Sequence, residues 1–302
     1  DVGEECGGVP VQARPGASVR APPHSSPMAP PQAPLTSETA LAPPEAIIID
    51  GTTLPPTHRR FCGAEFKSDD YYLRSAEREA QRLIQDCGLK AGETVLDVGC
   101  GQGRLAIGLS RVLPDVKYIG VDVDAASISW CQRHLARPNF AFEHMNVHNA
   151  RYNASGKVQA DGSFRFPLPD ASVDTIYLYS VFSHMERDEA AAYLADFARV
   201  LKRTPRAGLG RGALGLPRAL GGGGSGPAAV FLTTFIAGEG TYLSKGYEVN
   251  PPGYVPIRGP LHVVHYARAH FEKMARQAGF KVHRVDAGVE TNGQSGIYLR
   301  LA

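Results

Sequence analysis

From residue 69 onward, the chain alternates two patterns of apolar and polar positions. One is a short apolar run bounded by turn-forming residues, which is typical of a buried strand. The other repeats apolar residues every three or four positions over several turns, which is typical of a helix with one buried face. The first pattern predicts strands over residues 94–98, 117–122, 140–145, 173–179, 230–236, 280–286 and 295–301. The second predicts helices over residues 69–87, 105–113, 125–136, 188–202 and 267–278.

This alternation predicts an α/β fold of the Rossmann-like, doubly wound type. Strands that are separated by helices pair in parallel, and the helices then cover both faces of the sheet. Only a Gly-containing turn joins the last two strands, so we expect an antiparallel strand at the C-terminal edge. The predicted architecture is a seven-stranded, mostly parallel sheet.

Two segments depart from this alternation of strands and helices. Residues 1–56 hold 12 of the 23 prolines, and we expect them to form a disordered tail ahead of a folded domain over 57–302. Residues 204–228 hold nine glycines, three arginines and no acid, which is typical of a flexible insertion between a helix and a strand. An organellar targeting role for the tail is open, but its glutamates favour a solvated segment.

Charge and cysteine usage narrow the functional class. The net charge of +2 predicts no nucleic-acid partner, and no apolar run reaches the roughly 18 residues that a membrane span needs. The five cysteines are scattered and form no C-x-x-C pair, so we expect neither disulfides nor a thiolate zinc site. The histidines also lack zinc-ligand spacing, and we expect no metal. These features are typical of a cytoplasmic protein.

The candidate chemistry begins where the first predicted sheet strand ends. Asp97-Val98 runs directly into Gly99, Gly101 and Gly103, and a helix follows. Glycines allow a tight turn and a close approach of backbone to ligand, and the helix N-terminus adds N–H groups. In open α/β sheets the ligand crevice lies at the carboxyl ends of the strands. Asp122 ends the second strand, where it is placed to accept the two hydroxyls of a ribose.

A glycine loop alone fits several nucleotide cofactors. The dinucleotide fingerprint G-x-G-x-x-G requires glycine at position 104, where this chain has Arg104. Asp97 disfavours a pyrophosphate and favours a cationic amino-acid group. The pattern therefore favours a ligand with an adenosine, an amino-acid end and no phosphate.

At these residues the chain resembles the class I S-adenosylmethionine-dependent methyltransferases. Segment 95–104 (VLDVGCGQGR) is similar to their first motif and segment 118–122 (YIGVD) to their second. Segments 166–174 (FPLPDASVD), 179–185 (YSVFSHM) and 197–202 (FARVLK) resemble later motifs of the type 11 methyltransferases. The resemblance covers about residues 60–302. It departs after Lys202, where the family has Pro-Gly-Gly and this chain has the insertion.

The resemblance implies S-adenosylmethionine as cofactor and assigns roles to matching positions. Asp97 faces the methionine amino group, Gly99 and Gly101 pack against the methionine part, and Asp122 holds the ribose. Asn146 stands where the family often has an Asp that accepts from the adenine amino group, and an amide oxygen also accepts. The full set of expected cofactor-binding residues is Asp97, Gly99, Cys100, Gly101, Gly103, Asp122, Val123, Asn146, Val147, Tyr179 and Ser180.

No general base is fixed by the sequence. The catalytic candidates are His184, which follows the fourth strand, and His265 and Tyr266, which precede the last helix; a structural role competes for each. Cys100 has no evident partner base and is interpreted as a small apolar filler. We expect methyl transfer to an oxygen, nitrogen or carbon of a small-molecule acceptor. The alternatives are a catalytically silent S-adenosylmethionine-binding regulator and a nicotinamide-dependent oxidoreductase on a similar fold.

Overall fold

The computed structural model describes residues 45–60, 63–203, 229–238, 240–252 and 263–302. The predicted insertion at 204–228 and most of the predicted tail lie outside these described residues. The helices are α1 (Asp69–Asp86), α2 (Arg104–Val112), α3 (Ala125–His134), α4 (Arg187–Val200) and α5 (Arg268–Gln277). The strands are β1 (Ile47–Ile49), β2 (Thr52–Leu54), β3 (Thr94–Val98), β4 (Lys117–Asp122), β5 (Phe140–His144), β6 (Thr175–Leu178), β7 (Val230–Ile236), β8 (Tyr247–Val249), β9 (Val264–Tyr266), β10 (Phe280–Asp286) and β11 (Ser295–Leu301).

The seven predicted strands form one sheet in the order β10-β11-β7-β6-β3-β4-β5. Strands β5, β4, β3, β6 and β7 pair in parallel. Strand β11 runs antiparallel to both of its neighbours and lies between β7 and β10, one position in from the edge. Two short strands that the sequence did not predict, β8 and β9, extend the sheet beside the end of β7. The α/β, mostly parallel fold is confirmed, and within the described residues this sheet has nine strands rather than seven.

Side chains of alternate strand residues pack on opposite faces of the sheet, as the two-residue period of a strand requires. Val95, Tyr118 and Tyr177 pack with α1, α2 and α3 on one face. Leu96 and Ile176 pack with α4 and α5 on the other. Because helices cover both faces, the central strands are apolar on both sides. The acidic residues of β3 and β4, Asp97 and Asp122, lie at or near the carboxyl ends of these strands, where the cavity described below lies.

A hairpin of β1 and β2 lies within the segment that the sequence predicted to be disordered. Leu54 is fully buried with Phe66 and Ile107, and the Trp130 indole N–H donates to the Glu45 carbonyl at 2.6 Å. The described residues therefore form regular structure at least ten residues before the predicted boundary at 57. The proline-rich composition of the whole segment concealed the short apolar runs at its end. None of the helices in the described ranges is long and apolar enough to cross a membrane.

Candidate functional site

A cavity of about 840 Å³ opens at the carboxyl ends of the central strands. Its volume lies in the range of small-molecule and cofactor pockets. Its walls come from the loop after β3, the end of β4, the segment after β5, the loop after β6 and the turn before β11. The crevice therefore lies where the parallel sheet predicts it.

The loop between β3 and α2 is held in a left-handed conformation at three glycines. Gly99, Gly101 and Gly103 have φ of +73°, +51° and +72°. A Cβ on Gly99 would lie 2.4 Å from Val181, and one on Gly103 would lie 2.5 Å from Leu135. At Gly101 a Cβ would meet no protein atom within 4 Å, and this residue lines the cavity. Gly99 and Gly103 thus serve close packing, whereas Gly101 leaves room for a ligand.

Asp97 lies at the floor of the cavity and is only 2% exposed. Its carboxylate accepts a hydrogen bond of 2.6 Å from the Tyr118 hydroxyl. Burial raises the pKa of Asp97 to about 7, although Tyr118 and the Arg104 guanidinium oppose the shift. Ionisation of a carboxyl group with such a raised pKa costs free energy, and a cationic ligand group beside it would lower that cost.

Asp122 lies at the end of β4 with both carboxylate oxygens oriented by the backbone. One oxygen accepts from the Gly101 N–H at 2.7 Å, and the other accepts from the Asp124 N–H at 2.8 Å. Burial raises the pKa of Asp122, and these N–H bonds oppose the rise. Each oxygen keeps a further lone pair for a hydroxyl. The carboxylate is therefore fixed beside the glycine loop before any ligand arrives.

Tyr179 and Ser180 line the cavity at the end of β6. The Tyr179 hydroxyl hydrogen-bonds Thr291 at 2.8 Å, and the Arg104 guanidinium lies 4.6 Å from its ring centre. Ser180 has a φ of +61° and accepts from the Gln294 amide at 2.9 Å. Both side chains are therefore hydrogen-bonded to the turn before β11. That turn completes this wall of the cavity.

The residues expected near the adenine differ in whether they line the cavity. Val123 and Val147 line the cavity, together with Met145. Asn146 is exposed and lies outside the lining, so its expected contact with the cofactor stays a prediction. Its carbonyl accepts from the Lys157 and Val158 N–H groups, and its side-chain oxygen accepts from the Asn153 amide at 3.4 Å. Gly103 also lies outside the lining, as the N-cap residue of α2.

Of the three catalytic candidates, only His184 lines the cavity. It ends a short 3₁₀ helix directly after β6, and its ring meets that of Tyr152 edge-on at 5.5 Å. Tyr266 is fully buried and donates to the Met185 carbonyl at 2.6 Å, and His265 stacks on Phe235. Neither residue lines the cavity, so we propose no contact of His265 or Tyr266 with the acceptor.

Cys100 lines the cavity but is only 6% exposed. Burial raises the pKa of its thiol well above the usual value, which agrees with its interpretation as filler rather than nucleophile. Across the described part of the chain, no three His, Cys, Asp or Glu side chains are grouped so as to hold a metal ion.

Several lining residues were missed by sequence reasoning. Gln102 is buried and donates to Ser127 at 2.5 Å, which ties the glycine loop to the start of α3. A further group of missed residues belongs to irregular segments that have no periodicity to interpret. They include Asn149, Arg151, Tyr152, Thr291, Asn292 and Gln294.

Comparison with known proteins agrees with this geometry. A family model described as a methyltransferase domain matches residues 95–204. An uncharacterized methyltransferase of Schizosaccharomyces pombe is 26% identical over 44% of this chain and 46% of its own length. A methyltransferase of Streptomyces halstedii is 30% identical over 45% of this chain and 43% of its own.

A third relative is the phthiotriol/phenolphthiotriol dimycocerosates methyltransferase 1 of Mycobacterium ulcerans. It is 31% identical over 37% of this chain and 35% of its own length. The chain thus spans less than half the length of each of these relatives. These matches agree with the geometry of the site: residues 95–204, which hold the glycine loop and the two strand-end carboxylates, are similar to a methyltransferase domain.

Proposed function

We propose that the chain binds S-adenosylmethionine in this cavity and transfers its methyl group to an oxygen, nitrogen or carbon atom of a small molecule. The observation that carries the proposal is that two carboxylates, Asp97 and Asp122, line the same cavity as the open space at Gly101. A cationic amino acid and a ribose are the two groups that these carboxylates suit. The cofactor contains both.

The residues present fit this cofactor. Asp97 would face the methionine ammonium, because a buried carboxyl group with a raised pKa gains from a nearby cation. Asp122 would accept from the ribose hydroxyls with the lone pairs that the backbone leaves free. Val123, Met145 and Val147 would give the adenine an apolar surface.

The protein's part in the chemistry is alignment. The bound cofactor supplies an activated methyl group, and displacement at that carbon requires an in-line approach by the acceptor. The loop after β6, with Ser180, Val181 and His184, would hold the acceptor against the cofactor. His184 would take a proton where the acceptor atom must lose one. The cavity size and the near-neutral net charge support a small-molecule acceptor over a nucleic acid.

The first test is ligand-dependent thermal stability. S-adenosylhomocysteine and S-adenosylmethionine should raise the melting temperature of the full chain in a concentration-dependent way, because each binds only the folded state. NAD, which carries the pyrophosphate that Asp97 disfavours, should leave it unchanged. Stabilisation by NAD alone would overturn the cofactor assignment. Stabilisation by S-adenosylhomocysteine without methyl transfer to any of a broad acceptor panel would favour the silent regulator.

A further inference from the structure

The Asp97 carboxylate has a hydrogen-bond donor that reaches it from the neighbouring strand. In the parallel pairing of β3 with β4, Gly120 lies opposite Asp97, and Tyr118 lies opposite Val95. Because side chains two residues apart on a strand share a face, Tyr118 lies on the same face of β4 as Gly120. The Tyr118 hydroxyl donates to Asp97 Oδ2 at 2.6 Å. The donor therefore comes from the residue diagonal to Asp97, past the glycine that lies opposite.

Gly120 leaves the space that the Tyr118 ring occupies. A Cβ at position 120 would lie 2.9 Å from Cε1 of that ring and 3.0 Å from side-chain atoms of Cys100 and Phe142. These distances are shorter than a van der Waals contact, so any other side chain here would displace the ring. The ring is 1% exposed, and its centre lies 5.1 Å from that of Phe140 and 5.5 Å from that of Phe142. The hydroxyl is thus held in place by packing as well as by its hydrogen bond.

Other charged and titratable groups near this carboxylate come from the glycine loop and from α2, β4 and β6. Of the influences that favour the ionised carboxylate, the Tyr118 hydrogen bond is larger than the charge of Arg104, and Asp122 opposes both. Tyr177 and Cys100 stay protonated, because burial raises the pKa of each well above its usual value. Burial raises the pKa of Tyr118 in the same way. Its hydroxyl therefore remains a donor throughout the neutral pH range.

Resting on the proposed function, we propose that Tyr118 is a positioning residue for the cofactor, whose hydroxyl keeps the buried Asp97 carboxylate charged and in place for the methionine ammonium. A hydrogen bond donated to a carboxylate favours its ionised form, and a nearby cation favours the same form. Without the hydroxyl, the carboxyl group would keep its proton to higher pH, and the ammonium would meet a neutral partner. Tyr118 thus acts on the cofactor through Asp97.

The test measures the affinity of the full chain for S-adenosylhomocysteine from pH 6 to pH 8.5, in the wild type and in Y118F. Wild-type affinity should rise with pH and level off above about pH 7, where Asp97 is ionised before the ligand binds. In Y118F the rise should move to higher pH. A pKa one unit above about 7 lowers the ionised fraction at pH 7 from about one half to about one tenth. We therefore expect Y118F to bind about fivefold more weakly at pH 7, and less than about twofold more weakly at pH 8.5.

Methylthioadenosine is the matched ligand control, because it carries the nucleoside of the cofactor without the amino acid. Its affinity should be the same for Y118F and the wild type at every pH. Tyr298→Phe is the matched protein control. It removes a buried tyrosine hydroxyl that donates to the Asp86 carboxylate at 3.0 Å, outside the cavity lining. Y298F should bind both ligands as the wild type does.

The proposal is overturned if Y118F keeps the wild-type pH profile. It is also overturned if Y118F weakens methylthioadenosine as much as S-adenosylhomocysteine, because the loss would then be structural. Should Y118F fail to fold, replacement of Tyr118 by a ring-fluorinated tyrosine decides. The fluorinated hydroxyl is a stronger donor, so the profile should move to lower pH, and an unmoved profile contradicts the proposal. Absence of S-adenosylhomocysteine binding by the wild type would instead contradict the proposed function itself.

Discussion

At the scale of single residues, burial of the Asp97 carboxylate carries a large cost in solvation free energy. The side chain is almost fully buried, and the hydroxyl of Tyr118 and the guanidinium of Arg104 offset only part of the loss of solvation. An asparagine would fit the same space and accept the same hydrogen bond at a lower cost. The retention of a charge-capable group suggests that its benefit is realised when a cation binds. Sequence reasoning located this residue, but its pKa depends on burial that only the folded chain creates.

Replacing Asp97 with asparagine should change the pH dependence of stability. With a pKa of about 7, folded Asp97 keeps a proton that the unfolded chain releases near pH 4. The contribution of Asp97 to the free energy of unfolding therefore falls as the pH rises from about 4 to about 7, and then levels off. We expect D97N to lose less stability than the wild type between pH 5 and pH 8 in thermal unfolding.

The same variant should bind S-adenosylhomocysteine more weakly at pH 8, because the ammonium group loses its carboxylate partner. Higher stability with lower affinity is the usual trade-off at a functional site. If D97N and the wild type show the same change in stability between pH 5 and pH 8, the buried, protonated state of Asp97 is wrong.

At the scale of elements, a buried charge network joins α1 to the turn before β11. The Arg82 guanidinium contacts the Glu290 carboxylate at 2.6 Å and the Glu79 carboxylate at 3.4 Å, and it lies 4.4 Å from the centre of the Phe231 ring. Glu290 in turn accepts from the Tyr179 hydroxyl at 3.3 Å. This network fastens the turn that supplies Thr291 and Gln294 to the cavity. Its partners lie far apart in the sequence, so no local pattern predicted it.

Removal of Arg82 should therefore destabilise the protein strongly. R82M removes the guanidinium shared by two largely buried carboxylates, of which Glu79 keeps a contact of 3.7 Å with Arg78. Breaking a buried pair in this way costs about 3–5 kcal/mol. R74M on the same helix removes an ion pair whose two side chains are 65% and 70% exposed, and should cost less than about 1 kcal/mol. Urea unfolding of both variants measures the difference. Equal destabilisation by the two variants would show that the network contributes no more than a surface pair.

At the scale of the whole molecule, local periodicity predicted the architecture and failed where short segments depend on tertiary contacts. All seven predicted strands and five predicted helices form, because each has enough residues to show its period. The hairpin at residues 47–54 and the three-residue strands β8 and β9 were missed. Runs of three residues carry no measurable period, and proline or glycine lies close to each.

The residues of the site can be sorted by the same criterion, according to whether a regular element or an irregular segment carries them. Residues fixed by a strand end and the turn after it, such as Asp97, Gly101 and Asp122, line the cavity as the sequence predicted. Asn146 and Tyr266 lie outside the lining; Tyr266 is buried and donates to the Met185 carbonyl. The lining residue Asn149 belongs to an irregular segment after β5, which contacts the loop after β6 through the bond from Asn149 to the His184 carbonyl. The motifs therefore located the cofactor half of the cavity better than the acceptor half.

The most direct test of the account is a calorimetric titration of S-adenosylhomocysteine into the wild type, D122A and D115A. Asp122 would bind the ribose, whereas Asp115 is an exposed acid outside the cavity lining. We predict that D122A weakens binding by about 1–3 kcal/mol, the scale of losing hydrogen bonds to a charged acceptor, and that D115A leaves the affinity unchanged. Equal affinity of D122A and the wild type would contradict the placement of the cofactor at the ends of β3 and β4.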